Sequence, residues 1–358
     1  MRVAFITRST LYTAPGGDTV QAVQTARQLA EFGVSIDIML SNEVIPYDQY
    51  DLLHFFNIIR PADILYHSKK SAKPFLVSTI LCNYGEYDKS HRKGIGAVFS
   101  YLPTDSIEYL KTMARCLLGR DHLASMAYTW KGQRKSIIEI LQRATMILPN
   151  SESEYARVRQ NYPCDARYMV VPNGTNPELF QYNEKAIKNE RLVLCVARIE
   201  GIKNQLNLIR ALNNTRFRLI LIGSHAQNQT AYYERCRNEA AFNVSFIDHI
   251  PQDALVKYYQ QAKVHVLPSW FETTGLSSIE AAVMGCNLVI TDKGDTREYF
   301  GNDAVYCDPA EPMSILAAVE KASSGALNEN LRQKILKNYT WKQAALQTLK
   351  AYRLAATA

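Results

Sequence analysis

The stretch LVLCVARIEGIKNQLNLIRALNNTRFRLILI, residues 192–222, sets the fold class. Leu192–Val196 is an unbroken apolar run of strand length, and Phe217–Ile222 is a second. Between them a helix is expected near Gln205–Leu212. Strand, helix and strand with no hairpin turn argue for a parallel sheet covered on both faces, because the connection must cross back over the sheet. The same alternation runs outward in both directions. On the C-terminal side, strands are expected at Val244–Ile247, Val264–Pro268 and Leu288–Thr291. Helices are expected near Tyr232–Ala241, Asp253–Gln261, Leu276–Gly285 and Pro312–Ser323.

On the N-terminal side, strands are expected at Val3–Thr7, Val34–Leu40, Leu52–Phe56, Phe75–Ile80 and Met146–Pro149. Val20, Val23, Ala26, Leu29 and Ala30 recur at three- and four-residue steps, the period of a helix face, and Gly33 ends that helix. The middle of this half, from Asn83 to about Trp130, reads as irregular, with a helix resuming around Gln133–Arg143. Ser151 and Ser153 suit the start of a further helix, with Glu154 in its first turn. The polar stretch Asn183–Arg191 places a domain boundary at 182/183. The expectation is an α/β protein of two Rossmann-like doubly wound domains, residues 1–182 and 183–340, facing a central cleft. The tail helix within 341–358 is expected to pack back on the first domain. Sheets of this kind bind ligands beyond the C-terminal ends of their strands.

Composition narrows the function classes. The 358 residues are 47% hydrophobic and 21% charged, which excludes a mainly disordered, collagen-like or disulfide-stapled chain. No run approaches the ~18 apolar residues of a membrane span. The apolar part of Met1–Arg8 is too short for a signal peptide. The seven cysteines are scattered and form no C-x-x-C, so a reducing cytoplasm is the expected setting. The net charge of +7 is concentrated between Lys69 and Lys135, where twelve Lys/Arg face five Asp/Glu. Such an excess suits a phosphorylated substrate or an anionic membrane surface, the alternative being a solvated basic face. No zinc-finger or aromatic RNA-binding pattern accompanies it, and nucleic acid is not expected as a partner.

Three segments carry chemistry. In Pro268-Ser269-Trp270-Phe271-Glu272-Thr273-Thr274-Gly275-Leu276-Ser277-Ser278-Ile279-Glu280 a strand ends, a glycine loop follows and a helix begins. Backbone N–H groups at such a start favour an anion. Carboxylates such as Glu272 and Glu280 accept hydrogen bonds from sugar hydroxyls. The plain alternative has Glu272 capping the helix and Glu280 facing solvent. In the second segment, Ala197–Gln205, Arg198 and Lys203 sit at a strand edge and supply two cations for a diphosphate. The third is Gly16-Gly17 after the first strand. It lacks the G-x-G-x-x-G spacing of a dinucleotide site, yet admits a phosphate close to the backbone.

Taken together these residues resemble the retaining GT-B glycosyltransferases of family 4, over nearly the whole chain. Glu272 and Glu280 match that family's E-x7-E motif. Arg198 and Lys203 match its diphosphate-binding pair, Gly16-Gly17 its N-terminal glycine loop, and Val171-Pro172-Asn173-Gly174-Thr175 its turn before the second domain. The resemblance implies a metal-independent retaining hexosyltransferase with no cofactor beyond its nucleotide-diphosphate-sugar donor. It also implies an acceptor-binding first domain and a donor-binding second one. Glu280 would contact the ribose and Glu272 the transferred sugar. Thr274, Gly275 and Leu276 would hold the sugar through backbone amides, and the base would lie near His249–Ile250. The catalytic set is then Arg198, Lys203 and Glu272.

A saccharide or lipid-linked acceptor, a role in surface polysaccharide or glycolipid assembly, and a cytoplasmic location with peripheral contact at the inner membrane face complete the expectation. The competing readings are a nucleotide-sugar epimerase or phosphorylase of the same architecture, or a non-catalytic sugar-nucleotide sensor. One departure stands out. Many family members carry a His after the strand corresponding to Phe75–Ile80. Here that segment holds Tyr84, Glu86, Asp88 and His91 instead, and no catalytic base is assigned.

Overall fold

The computed structural model describes residues 1–83, 85–87, 103–117 and 125–356. They form two compact units. The first is Met1–Leu81, Asp88–Asn173 and Trp341–Ala358; the second is Cys82–Tyr87 and Gly174–Thr340.

The first unit is built on β1 (Arg2–Thr7), β2 (Ser35–Leu40), β3 (Leu52–Phe56), β4 (Phe75–Ser78) and β5 (Met146–Leu148). All pair in parallel, in the order β2-β1-β3-β4-β5. β3, β4 and β5 are buried along their whole length, which is why their sequences read as continuous apolar runs rather than alternating ones. The exception inside β3 is His54. Its Nδ1 lies 2.6 Å from the Tyr352 hydroxyl and its Nε2 2.9 Å from Ser78 Oγ. Burial lowers its pKa to about 3, so the ring is neutral and serves as a buried hydrogen-bonding post. Through it the terminal helix Trp341–Ala356 is tied to the sheet, and the same helix packs on Gly17–Glu31.

The second unit carries β6 (Asn189–Val196), β7 (Arg218–Ile222), β8 (Val244–Ile247), β9 (Ala262–Leu267), β10 (Asn287–Thr291) and β11 (Val305–Cys307). They form one parallel sheet in the order β11-β10-β9-β6-β7-β8. Its core joins β6, β7, β9 and β10 to the helices Gln205–Leu212, Leu276–Val283 and Pro312–Ser324. No helix among the described residues is long and apolar enough to cross a membrane.

Three differences from the sequence reading bear on the domain division and the middle of the first unit. The division between the units falls at 173/174 rather than 182/183, because the chain commits to the second unit before the polar stretch. Thr175 N–H already donates to Tyr339 O at 3.0 Å, and Phe180 is part of the second core. The supposedly irregular middle contains a helix, Thr104–Leu117, which buries only Ile107 and so offers little core pattern. The helix expected from Gln133 begins at Met126 and is interrupted at Gly132, whose φ of 69° breaks the helical repeat.

Candidate active site

In the second sheet β6 lies between β7 and β9, so the connections leaving the C-terminal ends of β6 and β9 run to opposite sides. This is the switch point at which open α/β sheets take their ligands. The loop after β6 holds Arg198 and Lys203; the loop after β9 holds Glu272, Thr274 and Gly275. Three contacts lock the two loops together. Asn204, buried and left-handed at φ 59°, donates through Nδ2 to Pro268 O at 3.1 Å and Pro309 O at 2.7 Å. The Trp270 N–H donates to Ile202 O at 2.9 Å.

The third contact is ionic. Lys203 Nζ lies 2.6 Å from Glu272 Oε1, which also accepts from Ser269 Oγ at 2.6 Å. Lys203 keeps 22% of its side chain exposed and Glu272 9%. Burial acts to lower the Lys203 pKa, but the charges of Glu272 and Glu200 outweigh it and raise the pKa, so Lys203 remains an ammonium. Arg198 reaches Glu200 Oε1 at 3.1 Å and is 53% exposed, free of the packing that fixes Lys203. The same loop thus offers one largely buried cation and one exposed one. Beyond Glu272, Thr274 is buried and Gly275 takes φ 73° to start the helix Leu276–Val283, whose first turn accommodates Leu276 half-buried.

Glu280 does not face solvent, and Glu272 is held by Lys203 rather than acting as a helix cap, so the plain alternative for both carboxylates is set aside. Glu280 is buried against the helix Gln252–Gln261, accepting from Gln252 Nε2 at 2.9 Å and Tyr259 OH at 3.0 Å. Burial lifts its pKa from 4.5 to about 7, against the two hydrogen bonds that favour the anion. A carboxyl whose folded pKa is raised favours the protonated fold. Its contribution is intact below about 4.5 and is lost as pH rises toward 7. Urea unfolding of Glu280→Gln across this window is expected to lose that fall in stability; an unchanged pH profile would contradict the assignment. Ile250 sits half-buried between β8 and Gln252–Gln261, packed on the core beside an exposed His249.

The stretch of chain that carries these loops has a match in sequence. Residues 178–340 fit the family model of glycosyl transferases group 1. The chain is 26% identical over 218 residues to an uncharacterized glycosyltransferase of Methanocaldococcus jannaschii, covering 54% of this chain and 56% of that protein. It is 24% identical over 413 residues to a D-inositol 3-phosphate glycosyltransferase of Corynebacterium urealyticum, covering 99% and 95%. The chain spans about half the length of the first curated relatives it matches. Among solved structures, sucrose-phosphate synthase from Thermosynechococcus elongatus superposes with a TM-score of 0.78 at 19% identity, covering 100% of both chains. HepE of Anabaena, solved in complex with UDP-glucose, superposes at 0.70 and 13%, covering 98% and 100%. The fold is therefore the GT-B type, two parallel sheets each covered by helices. Residues 178–340 are thus similar to the group 1 glycosyl transferases, and the fold is shared with solved enzymes of the GT-B type.

Arg198, Lys203, Glu272, Thr274, Gly275, Leu276, Ile250 and Glu280 all belong to the second unit, while Gly16 and Gly17 belong to the first. Gly16 N–H is engaged by Thr19 Oγ1 at 3.0 Å, and the turn is braced by Arg8 gripping Asp18 at 2.6 and 3.0 Å. Of the residues offered in place of the family His, Tyr84, Asp88 and His91 lie outside the described residues. Glu86 is described and pairs with Lys293. The sequence reading passed over Asn204, Ser269 and Tyr259. The one available signal was Asn204, since asparagine is the non-glycine residue most tolerant of the left-handed region.

Proposed function

We propose that this protein transfers a sugar from a nucleotide-diphosphate donor to a hydroxyl acceptor with retention of anomeric configuration and without a metal. The observation that carries the reading is the protonated Lys203, held on Glu272, with the exposed Arg198 on the same loop at the β6/β9 switch point. When the glycosidic bond breaks, negative charge grows on the leaving phosphate oxygen. Cations already in place stabilise it without reorganisation. The departing diphosphate then accepts the acceptor's proton on the same face, which needs no separate base. Glu272 is assigned to the sugar, Glu280 to the ribose, Ile250 to the base, and the amides of Thr274, Gly275 and Leu276 to the sugar as well. Gly16 and Gly17 are assigned to a donor phosphate on their match to the family's glycine loop alone.

The nucleotide donor is supported by the UDP-glucose complex of HepE, and retention by the E-x7-E spacing of Glu272 and Glu280. A saccharide or lipid-linked acceptor in polysaccharide or glycolipid assembly at the inner membrane face completes the proposal. It is tested by product analysis on a panel of sugar nucleotides. Nucleoside diphosphate is expected to appear only when an acceptor is present, with the donor's anomeric configuration in the product. Interconversion of donor sugars without acceptor would point to an epimerase instead.

A further inference from the structure

The chain that follows β4 does not stay with the first sheet. Residues Cys82–Tyr87 group with the second unit. Glu86 receives Lys293 Nζ on both carboxylate oxygens, at 2.7 and 3.0 Å. Tyr87 lies directly on Gly201: a Cβ built there would fall 1.6 Å from the Tyr87 hydroxyl oxygen and 2.6 Å from the ring carbon that bears it. Gly201 is not among the residues with left-handed φ, so its backbone does not need a glycine. What needs it is the Tyr87 ring.

Both anchor points belong to the loops of the candidate site. Gly201 opens the tight turn Gly201–Lys203 that ends on the ammonium. Lys293 O accepts the Glu272 N–H at 3.2 Å, and Gly294 bridges to Glu272. One short segment therefore grips the turn that presents Lys203 and the backbone against which Glu272 lies.

We infer that Gly85–Tyr87 form a strap over the anion site, with Tyr87 a positioning residue that seats on Gly201 and sets the Arg198–Lys203 loop. The Glu86–Lys293 pair fastens the strap at the second loop. That pair is half-exposed and weak alone, so the ring carries most of the effect. The inference rests on reading the site as one for a donor diphosphate, and it explains a glycine between the two cations that the diphosphate reading leaves without a role.

Two measurements test it. In the ligand-free protein, hydrogen exchange follows the Lys203 and Asn204 amides, bonded to Glu200 O at 2.9 Å and Gly201 O at 3.1 Å. Tyr87→Ala is expected to speed their exchange, and Tyr87→Phe, which keeps the ring, to leave it near wild type. By calorimetry with UDP and GDP, Tyr87→Ala and Gly201→Ala are each expected to weaken the bound nucleotide by about fivefold. Gly201→Ala is expected to add almost nothing in the Tyr87→Ala background, as for residues in direct contact. Unchanged exchange in Tyr87→Ala, or an equal Gly201→Ala effect in both backgrounds, overturns the strap. If the wild type binds neither nucleotide the donor reading falls, and the exchange experiment alone decides the strap.

Discussion

Replacing Lys203 by alanine is expected to lower turnover at saturating donor by about 100- to 1,000-fold, the scale of removing one preorganised charge stabiliser. Donor binding should weaken far less, since the additional negative charge on the leaving oxygen develops only as the bond breaks, and Arg198 remains to hold the charge already present on the diphosphate. The structure adds a stability cost. Without Lys203, Glu272 keeps Ser269 but loses the cation that pairs with it, and a buried charged group deprived of a partner costs about 1.5–3 kcal/mol. Arg198→Ala separates the two effects. Its side chain is half-exposed and, among the described residues, pairs with Glu200, so it should reduce turnover with little change in unfolding. Lys203→Arg should rescue in part, because a planar fork does not replace a compact ammonium on Glu272. Steady-state kinetics beside urea unfolding resolves these outcomes. Normal turnover in both alanine variants would remove the catalytic assignment.

Gly294→Ala is expected to produce the largest structural effect. Gly294 takes φ 87°, and a Cβ there would lie 2.1 Å from the Glu272 carbonyl oxygen, a backbone atom with nowhere to move. Left-handed strain and the overlap together are expected to cost about 3 kcal/mol. The displaced element is the Glu272 backbone itself, whose carbonyl accepts Asp295 N–H at 2.9 Å. Activity should therefore fall even in the fraction that remains folded. Urea unfolding with activity measured per folded molecule distinguishes this from simple instability. A variant as stable and active as wild type would show that the Glu272–Gly294 approach is not maintained in solution.

The elements most legible in the sequence were those with a continuous apolar run or a broad apolar face. Leu52–Phe56, buried throughout, was read to the residue, and so were the half-buried apolar run Val244–Ile247 and the helix Gln205–Leu212, which buries six of its eight positions. What escaped were elements with a thin apolar face or a short span. Thr104–Leu117 buries one residue, and Val305–Cys307 is three residues long. Pro61 at the start of Pro61–Ser71 was a readable helix signal that went unused.

The site was legible in its charges but not in their partners. Arg198, Lys203, Glu272 and Glu280 stood out because residue type and spacing are local properties. Their pairings are not: Lys203 with Glu272, Glu280 with Tyr259, and Asn204 with Pro268 each join residues between about 20 and 70 positions apart. Only the strand order of the second sheet brings the loops after β6 and β9 side by side. The strap residues Glu86 and Tyr87 follow a strand of the first sheet, so nothing in the local pattern places them against Lys293 and Gly201.

The central claim is that the loops after β6 and β9 bind a nucleoside diphosphate through Lys203 and Arg198. Calorimetric titration of wild type and Arg198→Ala with uridine, UDP, guanosine and GDP tests it most directly. One diphosphate is expected to bind wild type clearly more tightly than its nucleoside, with that advantage shrinking in Arg198→Ala while nucleoside affinity holds. Equal binding of nucleoside and diphosphate, or an advantage that survives the loss of Arg198 undiminished, would contradict the account.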